Sequence, residues 1–495
     1  MQLRQFASLF AASRLTGDAD TVVTGIQTDS RKVRPGDLFL CIPGLVSDGH
    51  DFAAKAAEAG AAALIVERDV PVQLPKLFVK DARYAMAVAA SFYYGYPSRE
   101  MKLIGVTGTN GKTTTTTLIE SILRDNGYPT GLMGTISMKI GDEWFEAERT
   151  TQEALELQMN LRKMRDAGAQ YAVMEVSSHA LELGRVKGCK FRTALFTNLT
   201  QDHLDFHKTM EQYRAAKGLF FSRLGNEFTS NPDDAVYAVL NADDDASDYL
   251  ASQTSAQVIR YGFGEDADVR ATDIKMSPKG TRFTVSAFGE TAEIQMRLVG
   301  KFNVYNALGA ISSTLLEQIP LSSIANSLDR VSVVPGRMET VEGDHEFLVI
   351  VDYAHTPDGL ENALATIREF CEGRILTVFG CGGDRDKTKR PAMGRVAARY
   401  SDYVFVTSDN PRSEPPESIL ADIEPGITEG GLSRDRYELL ADRREAIYKA
   451  VEMASPNDVV LIAGKGHESY QIVGGVQHHF DDRLVAQEAI RGRSK

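Results

Sequence analysis

Short apolar runs, each ending in a polar loop, recur along the chain and predict buried parallel strands alternating with helices. Residues 1–97 hold Asp37-Leu38-Phe39-Leu40-Cys41-Ile42, an alanine-rich helical stretch over 51–60 and Ala63-Leu64-Ile65-Val66, the pattern of a small α/β unit. Tyr96-Pro97-Ser98-Arg99 then reads as a linker. Residues 98–330 form a second unit, in which Leu103-Ile104-Gly105-Val106 is strand-like, 113–124 is helix-like, and further apolar runs occupy 171–174 and 194–197. A third unit, 331–495, opens at Pro335-Gly336-Arg337-Met338-Glu339 and shows apolar runs at 347–351, 375–379, 403–407 and 459–462. The fold class is therefore α/β in three domains, the central one with a mainly parallel sheet. No fixed-period repeat and no low-complexity segment is present.

The loops after these runs carry the chemistry. Gly108-Thr109-Asn110-Gly111-Lys112-Thr113-Thr114 follows a strand and opens a helix, as a phosphate-binding loop does. Small residues let backbone N–H groups converge on phosphate oxygens, while Lys112 and Thr113 can reach outer phosphates and magnesium. The usual first glycine of the pattern is Val106 here, with glycines at 105 and 108 instead, so the loop is a variant. Glu175, just past an apolar run, suits a magnesium ligand or a capping role. Asp202-His203-Leu204-Asp205-Phe206-His207 has the look of a metal-spacing cluster. Asn303 and Asn306 share a helix face and suit a base or phosphate contact, or a helix cap for Asn303. Lys217 alone reads as a solvated helix lysine. Thr28-Asp29-Ser30-Arg31 could hold a polar ligand, and a solvated loop explains it equally.

In the third unit the loops beginning at Asp352-Tyr353-Ala354-His355, Gly380-Cys381-Gly382-Gly383-Asp384-Arg385, Ser408-Asp409-Asn410-Pro411-Arg412 and Gly464-Lys465-Gly466-His467-Glu468 follow successive strands. Parallel α/β sheets bind ligands beyond the carboxyl ends of their strands, so these loops predict one pocket facing the nucleotide unit. The glycine-rich loop at 380 lacks G-x-G-x-x-G spacing, which argues against a dinucleotide site.

At 495 residues the chain is long enough for about three cores, and its net charge of -13 disfavours broad contact with a nucleic-acid backbone. Four cysteines without a CxxC pair suggest neither a disulfide framework nor a zinc knuckle. No apolar run is long enough for a membrane span and no leader is evident, so a cytoplasmic protein is expected.

Taken in order, Gly108-Thr109-Asn110-Gly111-Lys112-Thr113, Glu175-Val176-Ser177-Ser178-His179, the 202–207 cluster, Pro335-Gly336-Arg337 and Asp352-Tyr353-Ala354-His355 closely resemble the Mur ligases of bacterial peptidoglycan precursor synthesis. The resemblance spans essentially the whole chain. It implies an N-terminal UDP-binding domain, a central P-loop ATPase-type domain and a C-terminal Rossmann-like domain for the incoming amino acid. It also implies an ATP- and Mg2+-dependent acid–amino-acid ligase, here a monomer. By resemblance, Lys112 contacts phosphate, Thr113 and Glu175 serve one magnesium, His203 serves a second, and Lys217 is the lysine that becomes carbamylated. Asn303, Asn306, Arg337 and Asp352 match the family's ATP-site set. Ser30, Thr150, Thr151, Ser177 and Arg185 match its positions for UDP-N-acetylmuramoyl-L-alanyl-D-glutamate, while Arg149 departs from an asparagine of some relatives. Asp409-Asn410-Pro411-Arg412 marks members that add meso-diaminopimelate. Arg412 would grip the distal carboxylate and Glu468 the distal ammonium, with Arg385, Asp409, Asn410 and Gly464 completing the pocket; read alone, Asn410-Pro411 is a plain turn. The base for the amine stays open among His203, Asp352 and His355. The alternatives are an L-lysine-adding ligase, a folylpolyglutamate synthase-like ligase and a P-loop regulatory NTPase.

Overall fold

The computed structural model describes residues 1–44, 47–147, 149–277, 280–343 and 345–493. Three principal sheets follow one another along the chain. The first has five strands in the order Arg14–Thr16, Lys76–Phe78, Ala63–Val66, Asp37–Leu40 and Gly25–Gln27, parallel except at the Arg14–Thr16 edge. Its central strands are buried along their whole length, which explains their unbroken apolar sequence. The expected helix over 51–60 is a 3-10 turn, Gly49–Phe52, continuing as the helix Ala53–Glu58. Helix Ala82–Tyr93 covers the sheet and packs against Ala154–Asp166 of the next unit.

The second sheet has eleven strands, with Lys102–Thr107 held between Phe191–Phe196 and Tyr171–Glu175. Its middle is parallel, as expected, while both margins turn antiparallel: Val269–Ser277 with Gly280–Ala287 and Glu290–Met296 on one side, Thr130–Met133 with Ser137–Ile140 and Glu143–Glu146 on the other. Register fixes what meets at the carboxyl end. Glu175 pairs with Val106 and Phe196 with Thr107, so the segments after all three strands emerge side by side. The third sheet has six strands in the order Glu339–Thr340, Leu348–Asp352, Val459–Ala463, Ile375–Phe379, Tyr403–Thr407 and Tyr437–Leu440, all parallel but the first.

The stretch at 96–99, read as a linker, runs between the first and second sheets as a 3-10 turn, Pro97–Arg99, with Pro97 and Ser98 buried, and Ser98 Oγ accepts from Lys190 N at 3.0 Å. Gly105, one of the glycines that set the phosphate-binding loop apart from the usual pattern, serves packing. It lies mid-strand, where a Cβ would come within 2.6 Å of Phe220 Cζ and 2.7 Å of Phe191 Cε1. Among the described residues no helix is long and apolar enough to cross a membrane.

Because rigid aromatic rings sit where that Cβ would go, Gly105→Ala should destabilise the protein by about 1–3 kcal/mol through overpacking. Urea unfolding followed by circular dichroism checks this; a midpoint equal to that of the unsubstituted protein would remove the packing explanation.

Candidate active site

The phosphate-binding loop is braced from three sides. Gly111 precedes the helix Lys112–Asp125 with φ 84°, in the left-handed region that suits glycine, and a side chain there would meet Asn306 Oδ1. Gly108 lies so close to the Thr197 hydroxyl that no Cβ fits. Asn198 Oδ1 accepts from Asn110 N at 2.8 Å, Asn198 O accepts from Thr109 N at 2.9 Å, and Thr197 Oγ1 donates to Asn110 O at 2.6 Å. The helix that follows is rich in threonine, a mediocre helix former. Thr116 and Thr117 satisfy their hydroxyls on Thr113 O at 3.0 and 2.8 Å. Lys112 folds back to donate to Gly108 O and Thr109 O at 2.9 and 2.7 Å, and burial lowers its pKa.

A cavity of about 410 Å³ lies over this loop, lined by residues of the second and third units. It gathers Gly108 to Thr114, Thr150, Glu175, Ser177, His203, Lys217, Asn306, Arg337 and Asp352, all singled out from the sequence. Glu175 is only 1% exposed, and its oxygens accept from Thr113 Oγ1 at 3.0 Å, Thr135 N at 2.8 Å and Thr135 Oγ1 at 2.9 Å. A buried carboxylate beside a P-loop hydroxyl is a donor pair that fits a hard divalent cation completed by phosphate and water. Arg337 crosses from the third unit to donate to Thr113 Oγ1 at 3.1 Å, and Asn110 Nδ2 donates to Asp358 Oδ2 at 2.7 Å.

Several side chains depart from expectation. Lys217 is not solvated: it is 1% exposed, its ammonium lies 4.5 Å from the Tyr213 ring centroid, and burial followed by nearby Lys112 drives its pKa well down. The 202–207 cluster does not converge. His207 Nε2 lies 2.8 Å from Ser178 Oγ, its ring stacks on Tyr213, and Asp205 is exposed. Among the described residues no three His, Cys, Asp or Glu side chains are placed to hold one metal ion. His203 does face the cavity, with φ 56° and with burial pushing its pKa down to about 3. Asn303 neither lines the cavity nor caps its helix; it donates to Val299 O at 2.9 Å and accepts from Asn306 Nδ2 at 3.1 Å. Asp352 spends both oxygens on backbone, accepting from Met338 N at 2.7 Å and Ala354 N at 2.8 Å.

Thr151, Ser177 and Arg185 form one cluster, with Thr151 Oγ1 3.2 Å from Ser177 Oγ and Arg185 Nη1 donating to Thr151 O at 3.1 Å. Thr150 joins it to the cavity by accepting from Thr135 Oγ1 at 3.0 Å. Ser30 is buried in the first unit and, among the described residues, shares no hydrogen bond with this cluster, and Arg149 pairs with Glu153 at 2.7 Å instead.

The amino-acid residues predicted from the third unit do come together, but beside the cavity rather than in its wall. Arg412, with φ 54°, donates through Nη1 to Gly383 O at 2.8 Å, and among the described residues nothing engages its Nε or Nη2. Asn410 Nδ2 donates to Glu468 Oε2 at 2.8 Å, and Gly464 lies so close to Asp409 Oδ2 that a Cβ would fall 2.5 Å from it. Pro411 is buried, and Arg385 is exposed on the rim with Nη1 on Asp384 O at 3.0 Å. Sequence reasoning missed Lys465, whose buried ammonium lies 3.1 Å from Glu468 Oε2. It also missed Asn198 and Thr135, which orient the P-loop and Glu175; polar residues directly after buried strands were their only signal.

Models of three Mur ligase domains match this chain: the Mur ligase family catalytic domain over 22–94, the Mur ligase middle domain over 106–314 and the Mur ligase glutamate ligase domain over 336–466. The UDP-N-acetylmuramoyl-L-alanyl-D-glutamate--2,6-diaminopimelate ligase of Bacillus cereus is 50% identical over 471 residues, 95% of this chain and 94% of the relative. The enzyme of the same name from Listeria monocytogenes is 48% identical over 94% of each chain. A solved structure of a ligase with that name superposes with a TM-score of 0.69 at 32% identity, covering 100% of this chain and 99% of the other. Folylpolyglutamate synthase of Mycobacterium tuberculosis shares the fold over 77% of this chain and 92% of its own, with a TM-score of 0.62 at 18% identity. Half-identity sustained through all three domains is far more than a shared fold requires, and on it the chain belongs to the Mur ligase family.

Proposed function

We propose that this protein joins meso-2,6-diaminopimelate to the D-glutamate carboxyl of UDP-N-acetylmuramoyl-L-alanyl-D-glutamate, with ATP converted to ADP and phosphate, in peptidoglycan precursor synthesis. The observation that carries the reading is the single cavity in which the P-loop, Glu175 and Lys217 of one unit meet Arg337 and Asp352 of the next. A ligase must hold phosphates, a carboxylate and an amine together, and such a two-unit cavity is built for that. A monomer acting in the cytoplasm fits the same reading.

The D-glutamate carboxylate oxygen attacks the γ-phosphorus and ADP leaves, giving an acyl phosphate. The amine of diaminopimelate then adds to the acyl carbon, loses a proton, and phosphate departs from the tetrahedral adduct. Loop N–H groups and Lys112 hold the phosphates, with Asn306 bracing the loop, while Arg337 supplies positive charge from the opposite side. Thr113 and Glu175 would hold magnesium, with His203 beside a second ion; the metal supplies charge neutralisation of the phosphates. Burial, with Lys112 nearby, drives the Lys217 pKa well down, which favours the free amine that attacks carbon dioxide. Its carbamate would place an anion next to Lys112. The base for the amine stays open among His203, Asp352 and His355. His355 Nδ1 lies 2.9 Å from Tyr353 O, which keeps a proton on Nδ1 and leaves Nε2 open. Thr150, Thr151, Ser177 and Arg185 would take the UDP-peptide, with Ser30 on the nucleotide side.

The specificity pocket follows from charge. Diaminopimelate differs from lysine by a distal carboxylate, which requires a cation. Arg412 has two nitrogens free for it, and Glu468 faces the distal ammonium.

Incubation with ATP, magnesium, UDP-N-acetylmuramoyl-L-alanyl-D-glutamate and a panel of amino acids, scored by product mass, should give the meso-diaminopimelate adduct alone. A lysine adduct would overturn the specificity, and no adduct at all would overturn the ligase. Arg412→Ala should raise KM for diaminopimelate about 10- to 100-fold, the worth of a charged hydrogen bond, with KM for ATP unchanged. An equal rise for both substrates in steady-state kinetics would remove Arg412 from the pocket. Lys217→Ala should lose most activity and regain part of it with millimolar acetate; a folded variant without rescue would count against the carbamate.

A further inference from the structure

Outside the cavity, one pair of side chains stands apart. Arg443 and Asp482 are both fully buried, and they form a two-pronged ion pair with Nε to Oδ1 at 2.8 Å and Nη2 to Oδ2 at 2.7 Å. The guanidinium also donates to Ser408 O at 3.3 Å through Nη1 and to Ala463 O at 3.0 Å through Nη2. Those carbonyls belong to the residues immediately before Asp409 and Gly464, at the carboxyl ends of Tyr403–Thr407 and Val459–Ala463. Strand Ile375–Phe379 separates these two strands in the sheet, so no ladder bond joins their ends to each other. Arg443 spans the gap.

Stability alone is a poor reason for this arrangement. A buried ion pair contributes no more to stability than well-packed apolar residues of the same volume. Arg443 is also the first residue of the helix Arg443–Met453, where the positive end of the helix dipole opposes a cation. What the guanidinium offers, and an apolar side chain does not, is a planar fork that fixes two carbonyls and a carboxylate at once. Its charge also faces Asp409 and Glu468, the acidic groups of the pocket above.

We propose that Arg443, held by Asp482, is a positioning residue for the amino-acid pocket: it sets the spacing between the 409–412 loop and the 464–468 loop, and so the distance between Arg412 and Glu468. This rests on the reading that those two loops hold the incoming diaminopimelate. The pair touches no reacting atom.

Arg443→Met combined with Asp482→Leu removes both charges while keeping volume. In steady-state kinetics with this variant, KM for meso-diaminopimelate should rise tenfold or more, with KM for ATP and for the UDP-dipeptide within twofold of the unsubstituted protein. kcat at saturating diaminopimelate should fall by less than KM rises. A folded double variant with an unchanged diaminopimelate KM, or with equal rises for all three substrates, would overturn the proposal. Should that variant not fold, Arg443→Lys decides: charge without the fork should give the same split at smaller size, and an unchanged diaminopimelate KM overturns the proposal. If the unsubstituted protein adds no diaminopimelate, the proposed function has failed; if it does and the variants show no split, only the positioning role has failed.

Discussion

Phosphate groups bind to backbone N–H groups only where a loop holds several of them open and convergent, and the centre of this molecule is arranged around that constraint. The loop cannot collapse, because Thr197 and Asn306 occupy the spaces that side chains at Gly108 and Gly111 would need. Nor can it drift, since the Asn198 side chain and backbone hold Asn110 and Thr109. Each bracing residue reaches the loop because parallel register brings strand ends level, or because the helix Lys301–Leu315 packs on Lys112–Asp125. The wide sheet is the frame that makes these approaches possible.

Charge is the second constraint. The chain carries a net charge of -13, yet the cavity concentrates Lys112, Lys217 and Arg337 around Glu175 and Asp202. Polyanions are therefore handled by local arrangement rather than by a basic surface. Burial is severe enough that the pKa values of Lys112 and Lys217 both fall, that of Lys217 further because Lys112 is near, while His203 stays neutral through the physiological range and Asp352 is pushed toward its neutral form. Backbone N–H groups hold Asp352 in place, so that it clamps the segment at Met338 to the loop at Ala354.

Much of this was legible in the sequence wherever a residue's role follows from its place after a buried strand. Glu175, Asp352, Asp409 and Gly464 sit at strand ends, and an apolar run announces such positions. Lys217 was not legible by pattern, since a lysine in a helix reads as solvated and only tertiary packing buries it beneath Tyr213. The 202–207 cluster misled for the opposite reason. Close spacing in sequence suggested chelation, but a left-handed residue at His203 and the short helix Leu204–His207 turn its members in different directions. Asn303 failed in the same way: helical spacing placed it beside Asn306, and packing then took it out of the cavity wall. Arg443 and Asp482 lie thirty-nine residues apart and gave no local signal at all.

Nucleotide and amino-acid regions are joined by contact rather than by a shared wall. Arg337 touches Thr113 of the P-loop, and its guanidinium lies 4.4 Å from the Tyr353 ring centroid. The Tyr353 ring lies 5.1 Å from that of His467, the residue before Glu468. Gly336 packs directly on the Gly466–His467 backbone, so closely that a side chain there would displace it. The links are a side-chain hydrogen bond, a guanidinium over a ring, a ring against a ring and backbone against backbone. Interiors packed in this way transmit a shift rather than absorb it. A shift of the P-loop would thus reach the Glu468 loop through Arg337, while the Asn110–Asp358 hydrogen bond ties the same loop to the third unit at a second point.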